Sequence, residues 1–173
     1  YQAMAQLAES HGVAIATLAT QLHLDSDQKA DAFMSVIDGA SQIDVSKIFV
    51  SVKAGEDTAA DEVFARLRRL SDYAHDHGVT ICMETHPPFG ANASIARQTI
   101  DTVGSPGLRY NFDTANVYYY NEETDTIREL TAIKDAVASV HLKDTDGGFK
   151  SANFPPLGQG VVDFKKTFEI LGG

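Results

Sequence analysis

Two carboxylates and one imidazole stand at the ends of three successive apolar stretches of this sequence. Glu84 ends the stretch VTICME, Asp113 ends LRYNFD, and His141 follows ASV. Their spacings of 29 and 28 residues match the length of one unit of strand, helix and two short loops, about 30 residues. Side chains at the C-terminal ends of neighbouring parallel strands point into one shared crevice. The spacing therefore predicts that Glu84, Asp113 and His141 are three ligands of one divalent metal ion.

Each of these residues has a simpler explanation when it is taken alone. Glu84 fits a salt bridge at the rim of a sheet, Asp113 a helix cap, and His141 a hydrogen-bonded core residue. The coincidence favours a metal, because three ionisable groups that follow apolar strands are costly to bury without a compensating charge. A mixture of carboxylate and imidazole suits Mn²⁺, Mg²⁺, Co²⁺ or Zn²⁺, and the sequence does not choose among them.

Strand-like and helix-like stretches alternate along the whole sequence. Short apolar runs rich in β-branched or aromatic residues predict five strands, at Ala14–Leu18, Lys47–Val52, Val79–Met83, Leu108–Phe112 and Ala138–Leu142. Apolar residues at helical spacing predict the helices between them, with stripes at Phe33, Ile37 and Ala40; at Val63, Leu67, Leu70 and Ala74; at Ala96, Thr99, Ile100 and Val103; at Ile127, Leu130 and Ile133; and at Phe164, Thr167, Phe168 and Leu171. Helix caps are expected at Asp25 or Ser26, Thr58, Asn92 and Asp163.

A short internal repeat supports this alternation. HGVAI at 11–15 recurs as HGVTI at 77–81, and in each copy the glycine fits the left-handed exit from a helix into a strand. The pattern predicts an α/β fold with parallel strands and right-handed crossovers. Such a sheet is either open and doubly wound or part of a (β/α)₈ barrel, and a complete barrel takes about 250 residues.

Composition narrows the partners that this protein can have. The chain has 173 residues and a net charge of −10, so we expect one domain whose acidic surface repels nucleic acid but not a small neutral sugar. No apolar stretch approaches the roughly 20 residues of a membrane span, so no membrane partner is expected. No secretory leader is visible, and we expect a cytoplasmic location. The single cysteine, Cys82, is expected to be a small core residue.

The stretch after His141 is rich in glycine and proline, as expected for a loop over a pocket. Within it, Gly158-Gln159-Gly160 precedes a predicted helix. Its backbone N–H groups are candidates for holding an anion or sugar hydroxyls, but a simple tight turn is the favoured interpretation. The three tyrosines at 118–120 either line a pocket or pack beneath a loop, and packing is favoured for most of them.

Four segments carry a resemblance to a known family. They are ETH at 84–86, NFDTAN at 111–116, SVHLKD at 139–144 and LGQGVVDF at 157–164. In this order and spacing they resemble the xylose-isomerase-like TIM-barrel superfamily of sugar phosphate isomerases and epimerases, which is related to endonuclease IV. The resemblance implies an incomplete (β/α)₈ TIM barrel whose five parallel strands correspond to strands 3 to 7. Residues 1–173 would then form a single partial domain, truncated at both ends.

The resemblance also implies a chemistry for the three predicted ligands. One divalent ion held by Glu84, Asp113 and His141 would bind the carbonyl and a neighbouring hydroxyl of a sugar and stabilise an enediolate. Glu84 would be the catalytic residue that removes and returns the proton. A fourth ligand, a glutamate of strand 8, is expected beyond Gly173.

Three more residues are implied as substrate contacts, namely His86, Asn116 and Lys143. The activity implied is that of a divalent-metal-dependent sugar or sugar phosphate isomerase or epimerase. Because a ligand and a base would lie outside the 173 residues, we expect little or no turnover from these residues alone.

Three alternative functions stay open. Dehydratases of inosose or 3-dehydroshikimate share this metal site and also abstract a proton beside a carbonyl. A nuclease of the endonuclease IV type is disfavoured, because Asn116 stands where such enzymes have a histidine and no Asp-x-His pair follows HLKD. A non-catalytic module would expose strand edges that invite association, so a homo-oligomer is also left open.

Overall fold

The computed structural model describes residues 1–172 and contains alternating helices and parallel strands. Its elements are α1 (Gln2–Ser10), β1 (Leu18–His23), α2 (Asp27–Ser41), β2 (Lys47–Lys53), α3 (Ala60–Asp76), β3 (Thr80–Glu84), α4 (Ala93–Val103), β4 (Leu108–Asp113), α5 (Asn116–Tyr120), α6 (Thr126–Ile133), a 3₁₀ turn (Lys134–Ala136), β5 (Val137–His141) and α7 (Phe164–Leu171). The five strands form one parallel sheet in the order β1-β2-β3-β4-β5. This confirms the predicted α/β class and is consistent with part of a TIM barrel.

The chain divides into two compact units. The first contains residues 1–83 and 102–109, and the second contains residues 84–101 and those from 110 onward. Glu84, Asp113 and His141 all belong to the second unit. Among residues 1–172, no helix combines the length and the apolar character that crossing a membrane requires.

Helix formation follows the predicted apolar stripes. The α3 stripe is fully buried, with Val63, Leu67, Leu70 and Ala74 each at most 1% exposed. The α2 and α4 stripes are buried in the same way. The α7 stripe is covered only in part, since Thr167 is buried while Phe168 and Leu171 stay exposed. Cys82 is buried, as expected of a small core residue.

Helix ends agree with most of the predicted caps. Ser26, Asn92 and Asp163 each accept a hydrogen bond from the backbone N–H three residues later, at 3.3, 3.0 and 2.9 Å. The prediction of Thr58 as a cap was wrong, because α3 begins one residue later, behind Ala59, which offers no side-chain cap. Glycines 12 and 78 have φ values of +66° and +71°, which only glycine adopts without strain.

The first strand was predicted in the wrong place. The sequence favoured Ala14–Leu18, but β1 spans Leu18–His23 and pairs along its whole length with β2. Residues 13 and 14 are exposed, whereas Leu22 and Leu24 are completely buried. The register that buries these two leucines prevails over the more continuous apolar run that precedes them.

Strands β3, β4 and β5 each end at one of the predicted metal ligands. Glu84 is the last residue of β3, Asp113 the last of β4, and His141 the last of β5. In the pairing of β4 with β5, Asp113 lies directly opposite His141. Parallel strands of this kind deliver their final side chains to one edge of the sheet.

Candidate metal centre

Glu84, Asp113 and His141 converge at the C-terminal edge of the sheet. One ligand atom from each of the three side chains lies within 4.8 Å of the other two. The Nδ1 atom of His141 is 3.5 Å from Oε1 of Glu84 and 3.8 Å from Oδ2 of Asp113. Two ligands of a common ion, each about 2.0–2.3 Å from it, lie about 3–4.5 Å apart, so this donor set fits a divalent cation. Within residues 1–172 it is the one cluster of its kind.

Asp113 uses its two carboxylate oxygens for different purposes. Oδ1 accepts hydrogen bonds from the backbone N–H groups of Ala115 at 2.9 Å and Asn116 at 2.8 Å. Oδ2 faces His141. The capping role considered for this residue and the ligand role are therefore compatible, because an ionised carboxylate accepts at both oxygens. Burial raises the pKa of Asp113 despite these N–H groups and the nearby Lys143 ammonium, which lower it.

His141 faces both carboxylates, and its ring carries a compensating positive charge only when it is protonated. Its side chain is 39% exposed, whereas that of Glu84 is 12% exposed and that of Asp113 only 4%. The hydrogen bond to Glu84 raises the pKa of His141 above 6.5, although partial burial opposes the shift. A proton on the ring and a metal ion at the ring therefore compete for the same nitrogen.

Asn116 lies buried among the ligands and uses both ends of its amide. Its Nδ2 donates to the backbone oxygen of Thr85 at 3.1 Å and approaches Oε1 of Glu84 at 3.5 Å. Its Oδ1 accepts from Nζ of Lys143 at 2.8 Å. The amide thus orients Glu84 and Lys143, and its contact with a substrate stays a prediction.

Lys143 projects beside the same cluster. Its Nζ atom is 3.9 Å from Oδ2 of Asp113 and 4.0 Å from the ring centroid of Phe154. Phe154 is 39% exposed and its ring also lies 6.4 Å from that of Tyr119. The sequence did not single out Phe154, because the loop that carries it lacks any periodic pattern.

His86 stands outside the strand that carries Glu84. β3 ends at Glu84, so His86 does not share a strand face with it. The backbone of His86 instead exchanges two hydrogen bonds with that of Gly90, at 3.1 and 3.0 Å. Its ring packs edge-on against Tyr120, with centroids 4.9 Å apart. A substrate contact by His86 stays a prediction.

Of the three consecutive tyrosines, Tyr118 is buried and the other two are half-buried. Burial raises the pKa of Tyr120, and the charge of Glu84 adds to this shift. The ring of Tyr120 packs edge-on against that of His86, while Tyr118 packs inside the unit. Only Tyr118 is buried, so the expectation that most of these rings pack beneath a loop stays a prediction for the other two.

The side chain of Asp144 accepts hydrogen bonds from the backbone N–H groups at residues 158–160, which were candidates for binding an anion or a sugar. Its Oδ2 accepts from Gly158 and Gly160, both at 2.8 Å. Its Oδ1 accepts from Thr145 at 2.9 Å and from Val162 at 3.2 Å. The tight turn that the sequence favoured is present, since the N–H of Gln159 donates to the carbonyl oxygen of Pro156 at 3.0 Å. The alternative of a ligand cradle is excluded, because the chain's own carboxylate already accepts from the N–H groups of Gly158 and Gly160. A side chain at residue 160 would overlap both Asp144 and the carbonyl oxygen of Thr145.

The Asp144 carboxylate is buried, with 1% of the residue exposed. Burial raises its pKa, but the four backbone N–H groups together outweigh this effect and lower it. Asp144 therefore stays ionised and holds the loop of residues 145–162 against the end of β5.

Comparison with known proteins agrees with this architecture. Residues 1–172 match the family model of the xylose isomerase-like TIM barrel. The chain belongs to this family. The segment that aligns with an L-ribulose-5-phosphate 3-epimerase of Salmonella paratyphi A is 33% identical over 107 residues, and it covers 61% of this chain and 36% of that protein. An L-ribulose 3-epimerase of Methylomonas sp. is 29% identical over 123 residues, which cover 68% of this chain and 39% of that protein.

Several solved structures share this fold. A xylose isomerase domain protein from Planctomyces limnophilus superposes with a TM-score of 0.79 at 20% identity, covering 98% of this chain and 70% of that one. A xylose isomerase-like TIM barrel protein from Mycobacterium smegmatis, in complex with magnesium, gives 0.78 at 16% identity, covering 96% and 65%. The probable 3-DHS dehydratase of Bacillus anthracis gives 0.77 at 16% identity, covering 99% and 72%. Because these identities are low, the likeness extends to the fold alone.

We predict that Asp144→Asn lowers the free energy of unfolding by about 2–3 kcal/mol, because one amide oxygen cannot accept all four buried N–H groups. Urea unfolding at pH 7 measures the loss. The folded-state pKa of Asp144 is depressed, so its contribution is complete above the unfolded pKa of about 3.9 and is lost below it. The difference between the two proteins should therefore shrink below about pH 4.

Asp146→Asn is the matched control for this prediction. Asp146 is exposed and accepts hydrogen bonds from Gly148 and Ser151 within the same loop. Its replacement should cost less than about 1 kcal/mol. Equal losses for the two variants would contradict the structural role assigned to Asp144.

Proposed function

We propose that this chain carries the metal site of a sugar epimerase or isomerase that transfers a proton at a carbon next to a carbonyl, through an enediolate. The observation that carries the proposal is the convergence of Glu84, Asp113 and His141 within 4.8 Å in a member of the xylose isomerase-like family. Curated relatives that act as L-ribulose or L-ribulose-5-phosphate 3-epimerases support the reaction type. The chain spans less than two fifths of the length of those relatives. We therefore propose that residues 1–173 are part of one longer domain of this family.

Three side chains would hold one divalent ion, namely Glu84, Asp113 and His141. When bound, such an ion acts as a Lewis acid that polarises a substrate carbonyl and stabilises negative charge on its oxygen. Removal of the neighbouring proton requires a base close to that carbon. The carboxylate of Glu84 is the base that we assign, because it ends β3 beside the other two ligands and is nearly buried.

The residues around Glu84 support this assignment. Asn116 approaches Oε1 of Glu84 and limits the orientations that the carboxylate can take. Lys143 places an ammonium 3.9 Å from Asp113, where it can donate to a substrate hydroxyl. Phe154 covers one side of that ammonium and reduces its exposure to water, which strengthens hydrogen bonds made there. We propose Lys143, Asn116 and His86 as the substrate-binding residues, with a small sugar as the partner.

Metal binding is the first test of this proposal. Calorimetric titration of the metal-free protein with Mn²⁺, Co²⁺, Zn²⁺ and Mg²⁺ should find one site per chain for at least one of these ions. Asp113→Asn should weaken binding by more than the roughly 100-fold that changes outside the ligand set can cost. A proton on His141 competes with the ion, so affinity should rise with pH until the ring is neutral.

Asp101→Asn is the control for this titration, since Asp101 is an exposed carboxylate of α4. It should bind the ion as the unaltered protein does. The metal assignment fails if no ion binds to the unaltered protein, or if the two variants bind equally well.

Proton transfer is the second test, and it requires the full-length protein. With L-ribulose or L-ribulose 5-phosphate in D₂O, nuclear magnetic resonance should detect solvent deuterium on the carbon next to the carbonyl as the sugar is epimerised or isomerised. Glu84→Gln should slow this exchange by about 10²–10⁴-fold, because an amide cannot accept the proton. Glu122→Gln, at an exposed position, should leave the rate unchanged.

The same assay separates the competing reactions. Loss of water from inosose or 3-dehydroshikimate, with no conversion of ketoses, would replace the epimerase by a dehydratase. Cleavage of DNA that requires three metal ions per chain would replace it by a repair nuclease. Turnover that persists in Glu84→Gln would remove Glu84 from the role of base.

A further inference from the structure

Two buried threonines directly follow two of the proposed ligands. Thr85 follows Glu84, and Thr114 follows Asp113. Both threonines are 0% exposed. Neither was singled out from the sequence, since threonine is common at the ends of strands and carries no metal-ligand chemistry of its own here.

Thr85 joins the end of β3 to the end of β4 through its backbone N–H and its hydroxyl, and the hydroxyl donates to the carbonyl oxygen of Asn111 at 3.4 Å. Its backbone N–H donates to the carbonyl oxygen of Asn111 at 3.1 Å. Its hydroxyl oxygen accepts from the backbone N–H of Asp113 at 3.0 Å. The bond from the Asp113 N–H fixes the backbone of one proposed ligand. Its acceptor, Thr85, directly follows another proposed ligand, Glu84.

Thr114 repeats this arrangement between the ends of β4 and β5. Its backbone N–H donates to the carbonyl oxygen of His141 at 3.1 Å. Its hydroxyl oxygen accepts from the backbone N–H of Lys143 at 2.9 Å, and the hydroxyl donates to the carbonyl oxygen of Lys143 at 2.6 Å. In both cases the backbone N–H donates to one residue, and the hydroxyl oxygen accepts from the backbone N–H of the residue two positions further on.

The two threonine hydroxyls accept hydrogen bonds that backbone carbonyl groups accept in a regular parallel sheet. In a regular parallel pair, the carbonyl of each threonine would accept the N–H that its hydroxyl accepts here. The carbonyl of Thr85 instead accepts from Nδ2 of Asn116 at 3.1 Å, and that of Thr114 accepts from the hydroxyl of Thr126 at 2.7 Å. The side chains therefore extend the strand pairing by one step beyond the regular sheet, while the chain turns into its loops.

We infer that Thr85 and Thr114 are positioning residues that set the separations of Glu84, Asp113 and His141, and hence the affinity for a metal ion. The inference rests on the metal site proposed above. We name these two contacts the threonine bridges. Each bridge spans one pair of neighbouring ligands, so loss of either hydroxyl lets two ligands drift apart while all three side chains stay present. Partners outside the ligand set typically change metal affinity by about 10–100-fold.

The test replaces each threonine by valine, which removes the hydroxyl, and by serine, which retains it. We expect Thr85→Val and Thr114→Val to weaken binding of the tightest-binding ion by about tenfold or more in calorimetric titration. The serine variants should stay within about threefold of the unaltered protein, because the hydroxyl is what the bridge requires.

Thr167→Val is the matched control. Thr167 is equally buried, and its hydroxyl bonds the carbonyl of Asp163 within α7. This variant loses a buried hydroxyl hydrogen bond but should retain full metal affinity. If both bridge variants bind the ion as tightly as Thr167→Val, or if serine and valine weaken binding alike, the inference is wrong.

Amide hydrogen exchange in the metal-free protein gives a readout that does not depend on the ion. Thr85→Val should speed exchange at the amide of Asp113, and Thr114→Val at the amide of Lys143, while other amides of β4 keep their protection. Unchanged exchange at both amides would show that the bridges do not hold the strand ends. If the unaltered protein binds no ion, the proposed metal site is wrong. If it binds an ion and the valine variants bind that ion equally well, only the inference about the two threonines is wrong.

Discussion

The repulsion between two carboxylates at one edge of an apolar sheet is the constraint on which this site depends. Glu84 and Asp113 are both nearly removed from solvent, where charges of like sign cost more than in water. The protein offsets this cost with backbone N–H groups at Asp113, the amide of Asn116, the ammonium of Lys143 and the imidazole of His141. A divalent cation held by the three side chains would compensate the same charge more fully than a proton on the ring can.

Asp144 is a second buried carboxylate, and its charge is compensated without a cation. Asp144 is as buried as Asp113, but four backbone N–H groups surround it, so its charge is satisfied entirely within the chain. Asp113 receives only two such bonds, both at one oxygen, and its other oxygen faces His141. The comparison separates a structural carboxylate from one that is available to a ligand, although the two residues are similar in type and in position after a strand.

Much of the site was predictable from the sequence, because it depends on the period of the βα unit. The spacing alone predicted that Glu84, Asp113 and His141 lie at one edge of the sheet. The structure confirms that their side chains converge there. Resemblance to a family added the reaction type. What spacing did not predict are contacts made across loops, such as Phe154 over Lys143 and the bonds of Asp144 to residues 158–162. Those contacts depend on loop paths, which have no periodicity. The misplaced first strand has a similar cause, since an apolar run does not specify which residues a neighbouring strand will pair.

The most direct measurement is the anomalous X-ray scattering of Mn²⁺ in a crystal of this protein. We expect one strong anomalous peak within bonding distance of the carboxylates of Glu84 and Asp113 and of the imidazole of His141, with Asp144 in contact only with backbone N–H groups. A peak elsewhere, or no peak at a saturating concentration of the ion with the three side chains turned apart, would contradict it.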